Sequence, residues 1–419
     1  MIQNFKKFSA LLVHRTESFI KTDLVYFLKG GFWINSNYII NSFFFLILSI
    51  LFANFVSKDI FGIYKYIISI TAIAGVFSLT GMNVAVMRAV AQGFDGIFKK
   101  SLIEQFKWSW PQFFFLLSFG AYYLYQNNLT YGLAFLIISI FAPLSGIANT
   151  YNAVLYGKKD FRISAFYGFW SGILYFSLMS VLILKMPFSV IVLIMGYYIP
   201  PAIANIYFCI RIYRKYGMQK DNSFRKEDIL YGKHVSIMSA VGTLANQLDN
   251  ILVYHLLGPA SLALYSFATI IPERIRTFFS FIATLAFPKI AEKGHNISNL
   301  NLNKKIIQLM ALGLIVAGIY IPLAPFLFHW LFPEYNSVIL YSQIFSLSLV
   351  SIATNISNTT LLAQRKQKEL YHVNTIVPII KIIFTITGIW YFGIWGAIIS
   401  KMFSQILLLM FSSYYLLKK

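Results

Sequence analysis

The sequence predicts an all-α integral membrane protein of about twelve transmembrane helices, arranged as two six-helix bundles with parallel pseudo-twofold symmetry. Three observations predict it: an apolar excess, apolar runs that recur at membrane-spanning length, and a one-sided distribution of basic residues. Of 419 residues, 58% are apolar, about 243 positions, and only 12% are charged, against roughly 45–50% and 25% in a soluble domain. At about 20 apolar residues per crossing, those positions supply about twelve helices and leave little for a water-facing domain. The single cysteine, Cys209, excludes a disulfide framework or a cysteine-rich metal site.

The elements follow in order. Residues 1–29 mix Lys6, Lys7, Arg15, Lys21 and Lys29 with short apolar stretches and lack the pattern of a cleavable signal. With Phe5, Phe8, Leu12 and Phe19 near one helical face, the segment reads as a basic amphipathic helix on the membrane surface. Apolar runs then place spans near 32–56, 61–83, 108–126, 131–155, 163–184 and 189–210, forming a first bundle over 30–210. The polar stretch from Arg211 to Asp228 reads as a cytosolic linker, 211–230. Further spans near 234–256, 260–287, 306–329, 338–362, 372–392 and 394–416 form a second bundle over 231–419, with Gly393 and Gly396 separating the last two.

Basic residues set the orientation. With the amino terminus inside, 28 of the 35 Lys and Arg fall in cytosolic segments, two (Lys58 and Lys185) in outer loops and five within spans. The excess charge of +21 is thereby explained by the positive-inside rule, and a nucleic-acid role loses its main support. Both termini are expected in the cytosol. At a fixed offset of 201, without gaps, Gly31, Ile50, Leu51, Tyr64, Ile70, Phe77, Ala85 and Gly93 meet identical residues from Gly232 to Gly294, and Arg88 meets Lys289. Two six-span halves of the same orientation imply a pseudo-twofold axis along the membrane normal and a cavity between the bundles.

The run "KGGFWINSNYIINSFFFLILSILFANFVSKDIFGIYKYIISI", followed by "LTGMNVAVMRAVAQG", resembles polysaccharide flippases of the O-antigen and teichoic-acid type. That family lies within the MOP exporter superfamily, beside the multidrug and toxic-compound extruders (MATE) and the lipid II flippases. Gly31, Trp33, Gly62, Tyr64, Gly81, Ala85, Arg88 and Ala91 carry the similarity in the first half, and Asp249, Gly258, Pro259, Tyr265 and Pro288 in the second. Ala263 departs from the pattern, standing where a glycine is usual, and the extra pair of spans of lipid II flippases is missing. The resemblance implies a MATE-like fold and alternating-access flipping of a polyprenyl-diphosphate-linked oligosaccharide from the inner to the outer leaflet. It further implies residence in a bacterial inner or plasma membrane, partnership with a polysaccharide polymerase and glycosyltransferases, and no cofactor.

A charged group deep in hydrocarbon is costly and usually faces protein or a wet cavity. Seven such residues occur here: Lys65, Asp249, Glu273, Arg274, Arg276, Lys381 and Lys401. Five cations against two anions suit a diphosphate, and Arg276, with Arg274 or Lys381, is the expected holder because a guanidinium can bond two phosphate oxygens at once. Lys65 and Lys401 join this substrate set, although both lie near enough the outer surface to snorkel. Asp249 and Glu273 are the candidate ion-coupling residues, with Asp249 expected to pair with Lys65 or Lys401. Two structural alternatives stand beside these: Glu273 can pair with Arg276 three residues on, and Asp249 with Asn246, Gln247 and Asn250 can act as helix-packing glue. The histidines have no zinc-ligand spacing, and the many aromatic residues read as lipid contacts and interface anchors. A cationic cavity argues against an extruder of cationic compounds, and the short outer loops argue against a glycan polymerase or transferase.

Overall fold

The structure, a computed structural model, describes residues 24–217, 224–293, 299–363 and 367–417. The amphipathic segment expected over 1–29 therefore lies mostly outside the described residues, and 24–29 already belong to the first helix. The helices are α1 (Leu24–Phe55), α2 (Lys58–Ala74), α3 (Met82–Ala91), α4 (Ile97–Tyr125), α5 (Leu129–Ala148), α6 (Thr150–Gly157), α7 (Phe161–Lys185), α8 (Val190–Ile212), α9 (Lys226–Leu257) and α10 (Pro259–Lys293). They continue as α11 (Asn299–Leu331), α12 (Ile339–Ser346), α13 (Thr354–Ala363), α14 (Gln367–Phe392) and α15 (Ile394–Leu417). Nine helical segments among the described residues are long and apolar enough to cross a membrane, and they coincide with nine of the twelve expected spans. The other three fall on α4, α9 and α10, with 29, 32 and 35 residues. These are long enough to cross but less apolar: Trp, Tyr and Gln112 dilute α4, Asn246, Gln247, Asp249 and Asn250 dilute α9, and Glu273, Arg274 and Arg276 interrupt α10.

Local chemistry sets the boundaries. Ser57 caps α2 by accepting from the Ile60 amide at 3.4 Å, and Asp59 adds negative charge to the first turn. Asn128 and Ser189 cap α5 and α8 in the same way. The hairpins α9–α10 and α14–α15 turn at Gly258 and Gly393, with φ of 89° and 56°, in the left-handed region where glycine carries no Cβ penalty.

Three spans expected as continuous helices are broken. The second ends in a 3-10 turn, Gly75–Ser78, and a left-handed Leu79 before α3. The fourth breaks at Asn149, six residues after Pro143, giving α5 and α6. The tenth is a 3-10 turn, Pro333–Val338, then α12, a second 3-10 turn, Leu347–Ala353, and α13. Ser346 Oγ donates to the Gln343 carbonyl at 2.6 Å where the second turn begins, a bond that competes with the helical ladder. Since 149 + 201 = 350, the breaks in the fourth and tenth spans fall at equivalent places in the two halves.

The halves also repeat their packing: α1 lies on α7 and α7 on α8, as α9 lies on α14 and α14 on α15. Across the midline α2 touches both α9 and α10, and α3 touches α9. At one end of this seam, a Cβ on Gly62 would lie 1.9 Å from the Pro259 carbonyl oxygen, so glycine there permits the close approach of α2 and α10. At the other end, residues expected within a linker are folded onto the first half: Phe224 and Ile229, with Tyr231 just beyond, join a cluster with Leu79, Met82 and Ile97. There the Gly81 amide donates to Ser236 Oγ at 3.0 Å, Arg88 sits 5.2 Å above the Tyr231 ring, and Lys233 pairs with Glu104 at 2.7 Å. That bond holds the Glu104 carboxyl below the usual carboxylate range.

Candidate functional site: a cationic cavity between the halves

A cavity of about 370 Å³ lies between the halves. Its wall combines α1 (Phe45, Ser49), α2 (Tyr64, Lys65), α9 (Asn250) and α10 (Thr269, Glu273, Arg274) with Tyr175 of α7, Tyr197 of α8 and Lys401 of α15. Three cations and one anion line it, a net of 3 − 1 = +2. In a low-dielectric setting that excess attracts an anion far more strongly than it would in water.

The expected site residues separate into two groups. Lys65, Arg274, Lys401 and Glu273 line the cavity, whereas Arg276, Lys381 and Asp249 stand outside its lining. Arg276 is held by Glu273, its Nη2 and Nε donating to Oε2 at 2.6 and 3.2 Å, the (i, i+3) arrangement that one helix face allows. Glu273 Oε1 accepts from Gln405 Nε2 at 2.9 Å and lies 3.5 Å from Lys401 Nζ. Lys401 also stands 5.2 Å from the Tyr265 ring and 5.5 Å from the Phe345 ring, so its ammonium is directed into protein.

Asp249 does not pair with Lys65 or Lys401 as expected. Its Oδ2 accepts from the Tyr265 hydroxyl at 2.8 Å and lies 3.4 Å from Lys381 Nζ, which is 3.5 Å from Asn246 Oδ1. The cause is helix packing. Because α14 lies against α9, Lys381 is the cation that reaches Asp249, while Lys401, on α15, reaches Glu273. Asn250, one residue on, donates to Ser69 Oγ of α2 at 3.0 Å and ties the halves together.

An apolar slot opens off this cavity between α1 and α10. It is lined by Ile39, Phe43 and Leu46 facing Ile271, Ile275 and Phe278, and it shares Phe45, Ser49, Ile270 and Arg274 with the cavity. The Arg274 guanidinium lies 3.3 Å from the Phe45 ring centroid, so one charge sits where the polar and apolar spaces meet.

Reading the aromatics as lipid contacts missed a cluster where α2, α4, α5 and α9 meet. The Tyr66 hydroxyl lies 3.1 Å from that of Tyr123 and 3.2 Å from His255 Nε2. The Tyr66 ring stacks on Tyr254 at 4.0 Å, and the hydroxyls of Tyr254 and Tyr131 are hydrogen-bonded. These contacts join α2, α4 and α5 to α9. No group of three or more His, Cys, Asp or Glu positioned for a metal occurs among the described residues.

Fold and cavity define the class: a multi-pass membrane protein with a MATE-like fold. The structure is similar to an outward-facing multidrug resistance MATE transporter of the MOP superfamily (TM-score 0.64, 13% identity, covering 94% of this chain and 97% of that one). It is similar also to the lipid II flippase MurJ in an inward closed conformation (0.64, 15%, 91% and 86%). A third relative is a MOP superfamily transporter from Pyrococcus furiosus, described as having a binding pocket of reverse polarity that suggests a different function (0.60, 14%, 94% and 95%). At such identities the likeness carries the fold and not the cargo. Residues 27–294 match the polysaccharide biosynthesis protein family, well over half of the sequence, and the chain belongs to that family. A comparison with curated proteins finds no match.

Proposed function

We propose that this protein is a flippase that carries a polyprenyl-diphosphate-linked oligosaccharide from the inner to the outer leaflet of a bacterial inner membrane, for the synthesis of surface polysaccharide. The observation that carries the reading is the junction of a +2 polar cavity with an apolar slot through Arg274. An anionic head group and a hydrocarbon tail on one molecule need those two environments side by side.

In this reading Arg274, Lys65 and Lys401 meet the diphosphate, while the polyprenyl chain leaves through the slot between α1 and α10 into lipid. Arg276 is a reserve cation, freed when the substrate competes with Glu273 for it, and Lys381 serves by holding Asp249. The halves then rock about the cavity to present the head group outside, and no covalent bond changes. Glu273, exposed to the cavity and bonded to Arg276 and Lys401, is better situated than Asp249 to link ion uptake to substrate exchange. Both termini are cytosolic, and the product is consumed by a polysaccharide polymerase after glycosyltransferases have built the substrate. Net positive charge disfavours the alternative of a cationic-drug extruder.

Complementation tests the proposal. Expressed in a bacterium lacking its own polysaccharide flippase, the parent protein restores surface polysaccharide, and Arg274→Ala with Lys401→Ala, at matched membrane abundance, does not. Equal restoration by the double variant would remove the assignment.

A further inference from the structure

A second cavity, of about 440 Å³, lies inside the N-terminal half, within the roughly 300–1,000 Å³ range of small-molecule sites. It is lined by four asparagines from three parts of the chain: Asn41 on α1, Asn149 and Asn152 at the break between α5 and α6, and Asn205 on α8. Ser145 and Ser171 add hydroxyls, and Tyr151 and Tyr198 add rings. No charged side chain lines it.

The space is built into the helix packing. A Cβ on Gly168 would lie 2.4 Å from Asn37 Nδ2, and one on Gly172 would lie 2.1 Å from Asn41 Oδ1, so these two positions leave room on α7 for the amides of α1. Asn41 Nδ2 donates to Asn37 Oδ1 at 2.7 Å and to the Asn37 carbonyl at 2.8 Å, which fixes its orientation. Asn205 Nδ2 donates to Ser145 Oγ at 3.0 Å, and Asn152 Nδ2 to Asn149 Oδ1 at 2.7 Å. Each amide carries two donor hydrogens and a two-lone-pair acceptor; Asn41 and Asn205 commit their donors in these bonds, Asn205 Nδ2 reaching the Ser145 carbonyl at 3.5 Å as well, and Asn152 Oδ1 accepts from Ser164 Oγ at 3.0 Å, so the chamber offers a ligand the acceptors of Asn41 and Asn205 and the donors of Asn149. Tyr175 and Tyr197 line this chamber and the central cavity alike, making the two spaces neighbours through a wall of two rings.

We infer that the chamber is a carbohydrate subsite, holding a neutral sugar of the substrate while its diphosphate lies against Lys65, Arg274 and Lys401. This rests on the flippase reading above. Fixed amides that both donate and accept match the adjacent hydroxyls of a pyranose, and tyrosine rings match its C–H face. With no charge to attract phosphate, the chamber adds selectivity for the sugar alone. The functions are thus divided: the midline cavity reads the diphosphate common to all such lipids, and the chamber reads what is attached.

Gly146 provides the test, because it lines the chamber and a Cβ there meets nothing within 4 Å. Gly146→Leu fills the space while raising helix propensity. Binding is measured on the full chain in detergent with two probes, polyprenyl diphosphate and the same lipid bearing one N-acetylhexosamine. The parent is expected to bind the sugar-bearing lipid about tenfold more tightly, the worth of one or two net hydrogen bonds. Gly146→Leu and Asn205→Ala should each abolish that preference while leaving sugar-free binding unchanged, which also reports that they are folded. Equal binding of the two lipids by the parent, or a parallel loss for both lipids in both variants, overturns the subsite and leaves the flippase reading standing. Failure of the parent to bind either lipid removes both.

Discussion

Asp249 and Glu273 are both carboxylates within the membrane-spanning part of one chain, yet they are held in opposite ways. Asp249 is sealed, 2% exposed, between Tyr265 and Lys381. Glu273 is 24% exposed on the cavity wall and shared among Arg276, Lys401 and Gln405. A sealed pair depends on its own completeness, because removing either member strands the other's charge in a low-dielectric interior. A carboxylate on the wall instead competes with an anionic ligand for the same cations. The first arrangement suits structure and the second suits exchange.

The sharpest way to break the contrast is at Asp249. Asp249→Ala, which strands the Lys381 ammonium, should cost about 3–5 kcal/mol, read as a fall in the thermal unfolding temperature of the detergent-purified protein. Adding Lys381→Met should recover much of that loss. A stable single variant would mean that Asp249 is not structurally essential and would return it to consideration as a coupling residue.

Next in size is the cavity wall. Lys401→Ala should weaken polyprenyl diphosphate binding by about ten- to a hundredfold, the loss of one charge-assisted contact of roughly 1.5–3 kcal/mol, with little change in unfolding temperature. A stability loss matching that of Asp249→Ala would erase the distinction. At the α2–α10 crossing, Gly62→Ala forces a methyl into the Pro259 carbonyl and should cost about 1–3 kcal/mol by overpacking.

The smallest effect belongs to Glu104 and Lys233, 17% and 29% exposed. Glu104→Gln should change stability by less than about 1 kcal/mol. Because the pair lowers the folded carboxyl's pKa, its contribution is fully present above the unfolded value of about 4.3 and fades as pH falls through the lowered one. Unfolding temperatures of parent and Gln variant should therefore differ at pH 7 and converge in acid.

The same contrast shows what was legible in the sequence. All seven intramembrane charges, and the spans that bear them, could be read because a charge interrupting an apolar run is visible in one dimension. The Glu273–Arg276 pair could be read too, since three residues on one helix fix a shared face. The partner of Asp249 could not, because choosing among Lys65, Lys381 and Lys401 requires the rotation and neighbours of α2, α14 and α15. The tyrosine cluster around Tyr66 and the asparagine chamber were hidden for the same reason. Tyr66, Tyr123, Tyr131 and Tyr254 look like interface anchors until their helices converge, and Asn41 and Asn205 stand 164 positions apart. Breaks at Asn149 and over Leu347–Ala353 became meaningful only once the offset of 201 set them side by side.

The most direct test of the anionic cavity is the sign of the response to Glu273→Gln, measured as equilibrium binding of polyprenyl diphosphate and, separately, of tetraphenylphosphonium to the purified protein. The substitution raises the net charge of the wall from +2 to +3 and releases Lys401 and Arg276 from a competitor. The account predicts tighter binding of the diphosphate and weaker binding of the cation. Weaker diphosphate binding, or a parent protein that prefers the cation, would contradict it.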